Sequence, residues 1–468
     1  MSVQLALLLG AVLSLYGFCS LSDSKELTVK TQKGIRCQGH PLDNHSLAIS
    51  NGDFAVRLYR LLAAQNPESN IIFSPLSVSM ALAFLALGAH GPTRTEILQG
   101  LKFNLTKTPE TDIHCGFQKL LRYLSQLKMP LQMDMNTAMF INQQLDLQEN
   151  FQQEAQKLYA ADIIHTDFQD PAVAKKLIND HVELKTHGKI NKMVKGLDTQ
   201  TRMVLVNSVL FQATWMMPFN PDYIFNSIFY MSPTSSWLNV PTMGFENKEI
   251  QYFWDARYSV TVVLFPYMES RVSMLLILPN NGAMPKLEAE LNMDMIFFWR
   301  KSMSPRQMSL YVPKFSFSRG YNLEQVLPKL GIAKVFSQEA DFSGLTTARK
   351  LSLSQVIHKA VLDVAEKGTE EAPLVGRSKL PTPRLSEGLD FNRPFLVAII
   401  SEDTQNILFL GKVENPNEAE LPPEEWGLSS GYSTLKNVFW VLSWWPRSLA
   451  VGTLFPALSV QYRLFVPN

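Results

Sequence analysis

The first half of the chain places apolar residues at helical spacing. From Phe54 to Leu62 the apolar residues fall on one face of a predicted helix. Ser74 and Pro75 mark the start of a second helix, because serine caps helix N-termini and proline suits the first turn. This second helix stays apolar until Gly88, where the pattern ends. Two further helices are predicted, over Ile113–Leu127 and Ala172–His187.

The later part of the chain contains short runs of β-branched and aromatic residues, which are typical of strands. Because helices come mostly first and strands mostly later, this order indicates the α+β class. No internal repeat or long linker interrupts residues 49–418, so we expect one domain there, preceded by a flexible segment over 20–48. The predicted strands are Ser259–Phe265, Val272–Pro279, Met308–Ser318, Phe395–Ile400 and Ile407–Leu410.

The N-terminal end has the pattern of a secretory signal peptide over residues 1–19. Leu5–Leu15 is almost wholly apolar, and small residues place the cleavage site near Cys19. A buried first helix is the alternative. Two glycosylation sequons, at Asn44 and Asn104, favour a secreted, extracellular glycoprotein.

Composition excludes several classes of function. The net charge is +1, so no basic field argues for a nucleic-acid partner. The chain lacks the nucleophile-elbow, zinc-protease and phosphate-loop motifs, so we expect no enzyme activity and no cofactor. The eight histidines are scattered, so no metal site is expected. Cys37 and Cys115 could form one bridge or remain free thiols, and neither state would make a disulfide scaffold.

Residues 367–390 are too polar and too interrupted by glycine and proline to belong to a core. A loop of this length inside a domain is usually functional or disordered. We therefore expect this segment to carry function.

A series of short motifs identifies a family. Read in order from about residue 50 to 416, they resemble those of the serpins, in particular the secreted antitrypsin-like group. The resemblance implies a serpin fold with about nine helices, three β-sheets and an exposed reactive loop at Gly368–Asp390. The motifs are Asn70–Ser77, Asn207–Trp215, Val312–Phe315, Leu330–Ile332, Ala340–Gly344, His358–Val361, Glu366–Glu370, Phe391–Phe395 and Phe409–Val413.

The resemblance also implies a mechanism. A target protease cleaves the reactive loop and becomes acylated, and the loop then inserts into a sheet as a new strand before the ester hydrolyses. Serpins are a standard example of such strand addition and strain release. Control of sheet opening would rest on two features: the shutter, a buried polar network of Ser74, Ser77, Asn207 and His358, and the breach at Trp215.

The hinge, the first part of the loop to insert, departs from the family pattern. It begins at Glu366 and Gly368, and the family alignment turns Thr369, Glu371 and Pro373 toward the core. A buried unpaired carboxylate costs several kcal/mol, and proline lacks the N–H that a central strand needs. We therefore predict weak or lost inhibition. A working inhibitor of an extracellular serine protease, and a carrier of a small apolar ligand such as a hormone, are the alternatives.

The scissile bond is left open between two positions. Counting from Gly368 gives Thr382, whereas counting back from Phe391 gives Pro383, and either bond has a proline beside it. Arg384 lies in the same region and could attract trypsin-like proteases by its charge.

A basic surface and an unusual C-terminal end complete the predictions. Lys119, Arg122 and Lys128 are better explained as a solvated helix face than as a heparin site, and a monomer is expected.

Family members usually end near Pro416, whereas residues 419–468 continue as a tryptophan-rich extension. Its apolar runs are interrupted, which favours an unfolded tail over a membrane span of about 20 apolar residues.

Overall fold

The computed structural model describes residues 35, 37, 42–127, 130–231, 236–348, 350–369 and 388–418. Eight α-helices lie within these ranges, together with five short 3-10 helices. The α-helices are α1 (Asn44–Gln65), α2 (Pro75–Gly88), α3 (Gly91–Gly100), α4 (Glu110–Ser125), α5 (Glu149–Tyr159), α6 (Pro171–Lys185), α7 (Met284–Glu290) and α8 (Met293–Ser302). The 3-10 helices are Pro221–Tyr223, Met268–Ser270, Leu323–Gln325, Leu327–Leu330 and Lys334–Phe336.

The described strands form two hydrogen-bonded sheets. The smaller sheet has the order β10-β11-β4-β2-β3, with β12 paired to β4, and the larger has the order β1-β15-β14-β8-β7-β6-β9-β13, with β5 paired to β6. The strands are β1 (Ile71–Phe73), β2 (Leu131–Asn142), β3 (Asp162–Thr166), β4 (Met203–Thr214), β5 (Ile224–Tyr230), β6 (Trp237–Asp255), β7 (Val260–Pro266), β8 (Val272–Pro279), β9 (Ser304–Pro313), β10 (Phe315–Asn322), β11 (Gln355–Val364), β12 (Gly368–Thr369), β13 (Gly388–Asp390), β14 (Phe395–Ser401) and β15 (Ile407–Val413).

The larger sheet has two parts. Counted together with the smaller sheet, these two parts correspond to the three sheets that the family resemblance implies. Strand β6 pairs with β5 along its first half and with β7 along its second half. A register shift between Phe245 and Lys248 separates the halves, while β9 pairs with both. Irregularities of this kind increase the twist of a strand. The α+β class is confirmed.

Helix α2 is the centre of the core. Its residues are buried on nearly every side, so it lacks the polar face of a surface helix. The Ser74 side chain accepts a hydrogen bond from the Ser77 N–H, which caps the helix as its sequence predicts. Because helix and strands bury apolar side chains together, one large hydrophobic cluster includes residues of α2, β4 and β11.

Two sequence predictions differ from the structure by more than a few residues at the ends of an element. Helix α1 begins at Asn44, inside the segment assigned as flexible over 20–48, because the Asp43 side chain caps it. The single apolar run predicted over Met308–Ser318 is two strands in different sheets, β9 and β10, which divide at Lys314.

Cys37 and Cys115 form a disulfide, so the bridged alternative is confirmed. The bond ties the N-terminal residues to α4. The Leu42 N–H also donates to the Asp112 carbonyl of this helix. No helix among the described residues has both the length and the apolarity needed to span a membrane.

Candidate functional site

The shutter residues meet at one amide. The Asn207 Oδ1 accepts a hydrogen bond from the Ser77 hydroxyl at 2.9 Å and another from His358 Nδ1 at 2.7 Å. The Asn207 Nδ2 donates to Thr137 Oγ1 at 3.0 Å. These contacts join α2 to the neighbouring strands β2, β4 and β11. Because Ser77, Asn207 and His358 are almost completely buried, these bonds are made without competition from water.

The contacts of His358 determine its tautomer. Its Nε2 lies 3.0 Å from the Ser74 backbone N–H, which is a donor, so Nε2 must accept. The proton therefore sits on Nδ1, from which it is donated to Asn207. Burial lowers the pKa of His358 to about 3. The ring is therefore neutral at physiological pH, and it links the backbone of Ser74 to the side chain of Asn207.

Strands β4 and β11 lie side by side and form the seam that an inserted loop would have to open. They pair in parallel from Gln355↔Val204 to Val361↔Leu210, and His358 lies opposite Asn207. The shutter therefore lies on the seam itself.

At the end of the seam, β12 turns back from β11 and pairs antiparallel with β4. Gly368 lies opposite Thr214, and Thr369 lies opposite Ala213. The turn is held by two bonds between Ala365 and Gly368, of 2.9 and 3.2 Å. The first residues of the predicted hinge therefore already occupy a strand position beside β4.

The conformation of Gly368 requires glycine. Its φ is +150°, which residues with side chains rarely adopt. A Cβ at this position would lie 2.0 Å from the Ala213 carbonyl oxygen. The close approach of β12 to β4 therefore depends on this glycine.

Trp215 anchors the breach. Its indole Nε1 donates to the Ala365 carbonyl at 2.9 Å, and its backbone N–H donates to the Lys367 carbonyl at 2.8 Å. The ring stacks on Tyr267 with centroids 4.3 Å apart. The buried indole thus fixes the turn from which the hinge departs.

Glu366 forms an ion pair with Lys314 at 2.7 Å. Burial acts to raise the pKa of Glu366, but the hydrogen bond and the charge of Lys314 outweigh it and hold the pKa below its ordinary value. The Glu366 carbonyl also accepts from the Phe219 N–H. These contacts tie the start of the hinge to Lys314, which follows β9 directly, and to the backbone of Phe219.

The structure brings together the shutter and breach residues predicted from the sequence, together with Glu366 and Gly368. The hinge residues Glu371 and Pro373 and the scissile candidates Thr382, Pro383 and Arg384 lie outside the described residues, as do the signal peptide and the 419–468 extension.

Sequence reasoning missed Thr137, Lys314 and Ala365. Thr137 completes the amide network, Lys314 pairs with Glu366, and Ala365 supplies a carbonyl. Lys314 lies in the Val312–Phe315 motif, but that motif does not reveal its pairing with Glu366. Thr137 and Ala365 lie in none of the motifs, and each acts through a partner that is distant along the chain.

The remaining predicted positions that the structure describes lie at least partly exposed. Asn104 is exposed, and its side chain accepts from both the backbone and the hydroxyl of Thr106, at 3.1 and 2.7 Å. Asn44 is half-buried in the first turn of α1. Lys119 and Arg122 lie on α4, whereas Lys128 is outside the described residues.

Comparisons with known proteins agree with this arrangement. A family model described as serpin (serine protease inhibitor) matches residues 49–416. Human alpha-1-antichymotrypsin is 49% identical over 377 residues, which cover 80% of this chain and 89% of that protein.

Two solved structures share the fold. The human thyroxine-binding globulin complex aligns with a TM-score of 0.75 at 37% identity and covers 80% of this chain and 100% of its own. Human glycosylated kallistatin aligns with a TM-score of 0.74 at 39% identity and covers 80% of this chain and 98% of its own. Because a family model and close relatives agree over most of its length, the chain belongs to the serpin family.

Proposed function

We propose that this chain is a secreted serpin that proteases cleave mainly as a substrate, because its reactive loop inserts too slowly to trap them. The observation that carries the proposal is the β12–β4 pairing. It defines the register in which the rest of the hinge would enter the sheet.

Continuing this register places Glu371 opposite Phe211 of β4. The two bonds between Ala365 and Gly368 set the register of the hinge against β11. Continuing that register places Glu371 opposite Leu362 of β11. Phe211 and Leu362 both belong to the main hydrophobic cluster and are almost fully buried. The Glu371 carboxylate would therefore enter an apolar layer, where an unpaired charge costs several kcal/mol or must take up a proton.

Pro373 would follow between Val209 and Ala360, two other buried residues of the same cluster. In this register the N–H of residue 373 would face the Val209 carbonyl. Because proline has no N–H, that buried carbonyl would lose its donor, at a cost of about 1–3 kcal/mol.

Further insertion would have to break the shutter. The same register places Val375 between Asn207 and His358, whose side chains are 2.7 Å apart in the native sheet. Valine carries no polar side-chain atom to replace that bond. Two buried polar groups would then lose their shared contact.

These costs act on a race between insertion and hydrolysis of the acyl-enzyme. A change of about 1.4 kcal/mol in a barrier alters its rate tenfold. If even half of the combined cost is present in the transition state, insertion slows by more than tenfold. Most acylated protease would then escape.

The test is to incubate the full chain with a panel of serine proteases and to separate the products in denaturing gels. We expect loop cleavage with little covalent complex. The matched variant Glu371→Ala with Pro373→Ala should shift the products toward complex. A near one-to-one covalent complex with the unmodified chain would contradict the proposal.

A working inhibitor is the second candidate, and the residues Gly368 and Thr369 favour it, because they are already paired with β4 in the native sheet. Residues Glu371 and Pro373 would then be tolerated. The same gel assay distinguishes the two candidates.

A carrier of a small apolar ligand is the third candidate. It is supported by the likeness to thyroxine-binding globulin, whose solved structure holds its hormone. A ligand that binds only the native state raises the melting temperature, and the rise grows with the logarithm of the ligand concentration divided by the dissociation constant. Titration with thyroxine and steroids should leave the melting temperature unchanged if the substrate proposal alone is correct.

A further inference from the structure

One edge of the smaller sheet is open along part of its length. Strand β2 pairs with β4 from Leu131 to Ile141, but β3 covers only Ala138–Asn142 on its other side. Among the described residues, no strand lies beside 131–137 on that side. This segment, here called the free edge, therefore resembles an edge strand in an otherwise paired sheet.

A groove of about 620 Å³ follows the free edge. Five consecutive β2 residues, 132–136, line it, together with side chains from α4 and from the end of α6. The volume lies within the range of protein ligand sites, about 300–1,000 Å³. The groove therefore leaves space beside the free edge, at the position that the next strand of the sheet would occupy.

The main chain of the free edge points alternately toward β4 and toward the groove. The Pro130 carbonyl accepts from the Thr214 N–H of β4 at 3.0 Å. Along an antiparallel strand, the backbone N–H and C=O groups of successive residues point to opposite sides. Because the carbonyl of Pro130 points toward β4, the backbone groups of Met133 and Met135 point away from β4 and face the groove. Their N–H and C=O groups repeat about every 6.6 Å, two residues apart.

The walls of the groove differ in chemistry. The apolar wall consists of Leu121, Leu127 and Met133, which pack with the main hydrophobic cluster. The opposite wall is polar: the Asn136 side chain donates to the Lys185 carbonyl at 3.3 Å, and His187 is exposed nearby.

We propose that the free edge binds an extended peptide segment, which adds to β2 as a strand and alternates apolar with polar side chains. An extended peptide main chain presents donors and acceptors at the spacing of the Met133 and Met135 backbone groups. Strand β3 already occupies the same lane in parallel to β2, beginning at Asp162 opposite Ala138, so the lane accepts a strand. The two walls require side chains of alternating character.

The test uses a fluorescein-labelled hexapeptide of alternating leucine and threonine, with binding to the full chain followed by fluorescence polarisation. Met135→Pro removes one N–H that faces the groove and leaves the β4 bonds intact, and proline is tolerated at such edge positions. We expect its dissociation constant to rise about tenfold. Met135→Leu, which keeps the N–H, should bind as the unmodified chain does.

Peptide N-methylation gives a second readout that does not depend on folding of the variant. Neighbouring N–H groups of a strand face opposite edges, so methylating all leucines and methylating all threonines block different edges. One series should lose binding and the other should retain it. Equal effects of the two series, binding unaffected by Met135→Pro, or absence of binding would each overturn the proposal. If the peptide bound at the β4–β11 seam instead, Met135→Pro would leave its binding unaffected.

Discussion

The shutter amide makes a quantitative prediction. Asn207→Ala removes the acceptor that serves both the Ser77 hydroxyl and His358 Nδ1. Both donors are almost fully buried, and each would lose its partner. A buried group left unsatisfied costs about 1–3 kcal/mol, so the free energy of unfolding should fall by roughly 2–6 kcal/mol.

Two serines on the same helix provide graded controls. Ser77→Ala removes one bond and leaves Asn207 Oδ1 with its bond from His358, so we expect a loss of about 1 kcal/mol. Ser79 is equally buried, but its hydroxyl has no hydrogen-bond partner among the described residues. Ser79→Ala should therefore be neutral or slightly stabilising.

The assay is equilibrium unfolding in urea at pH 7.4, with the first transition followed by tryptophan fluorescence. The expected order of destabilisation is Asn207→Ala, then Ser77→Ala, then Ser79→Ala. The reasoning is refuted if Asn207→Ala and Ser79→Ala agree within about 0.5 kcal/mol, because burial without bonding would then explain both.

Three further predictions concern neighbouring features. In the native state the pKa of His358 is about 3, below its usual 6.5, so the unfolded chain binds more protons between these two pH values. The contribution of His358 to stability should therefore be lost as the pH falls from 6.5 toward 3, and its NMR ring signals should show no titration down to pH 4. Replacing Cys37 and Cys115 by serine opens a link across 78 residues and should lower the free energy of unfolding by about 2–5 kcal/mol in urea titrations; an unchanged midpoint would refute this. Gly368→Ala should detach β12 from β4, since its Cβ would meet the Ala213 carbonyl, and should speed hydrogen exchange at the Trp215 amide; unchanged exchange would contradict the assignment.

Local sequence signals predicted the elements that depend on local physics. Ser74 and Pro75 mark the start of α2, and short β-branched runs mark β7, β8 and β15. Strand β6 was not predicted, because polar residues interrupt its pattern near the register shift at Lys248. The division at Lys314 was also missed, since apolar residues continue on both sides of it.

The candidate site was predicted through family motifs and not from residue chemistry alone. Asn207 and His358 are separated by 151 positions, and only the parallel pairing of β4 with β11 brings them together. The same holds for the ion pair of Lys314 with Glu366. Contacts between distant segments leave no periodic signal in a single sequence.

The central claim is that Glu371 and Pro373 slow the entry of the cleaved loop into the β4–β11 seam. Its most direct test is the melting temperature of the chain at successive times after loop cleavage, beside the Glu371→Ala, Pro373→Ala variant. We predict a small or slow rise for the unmodified chain and an immediate large rise for the variant. An immediate, equally large rise in both would contradict the claim.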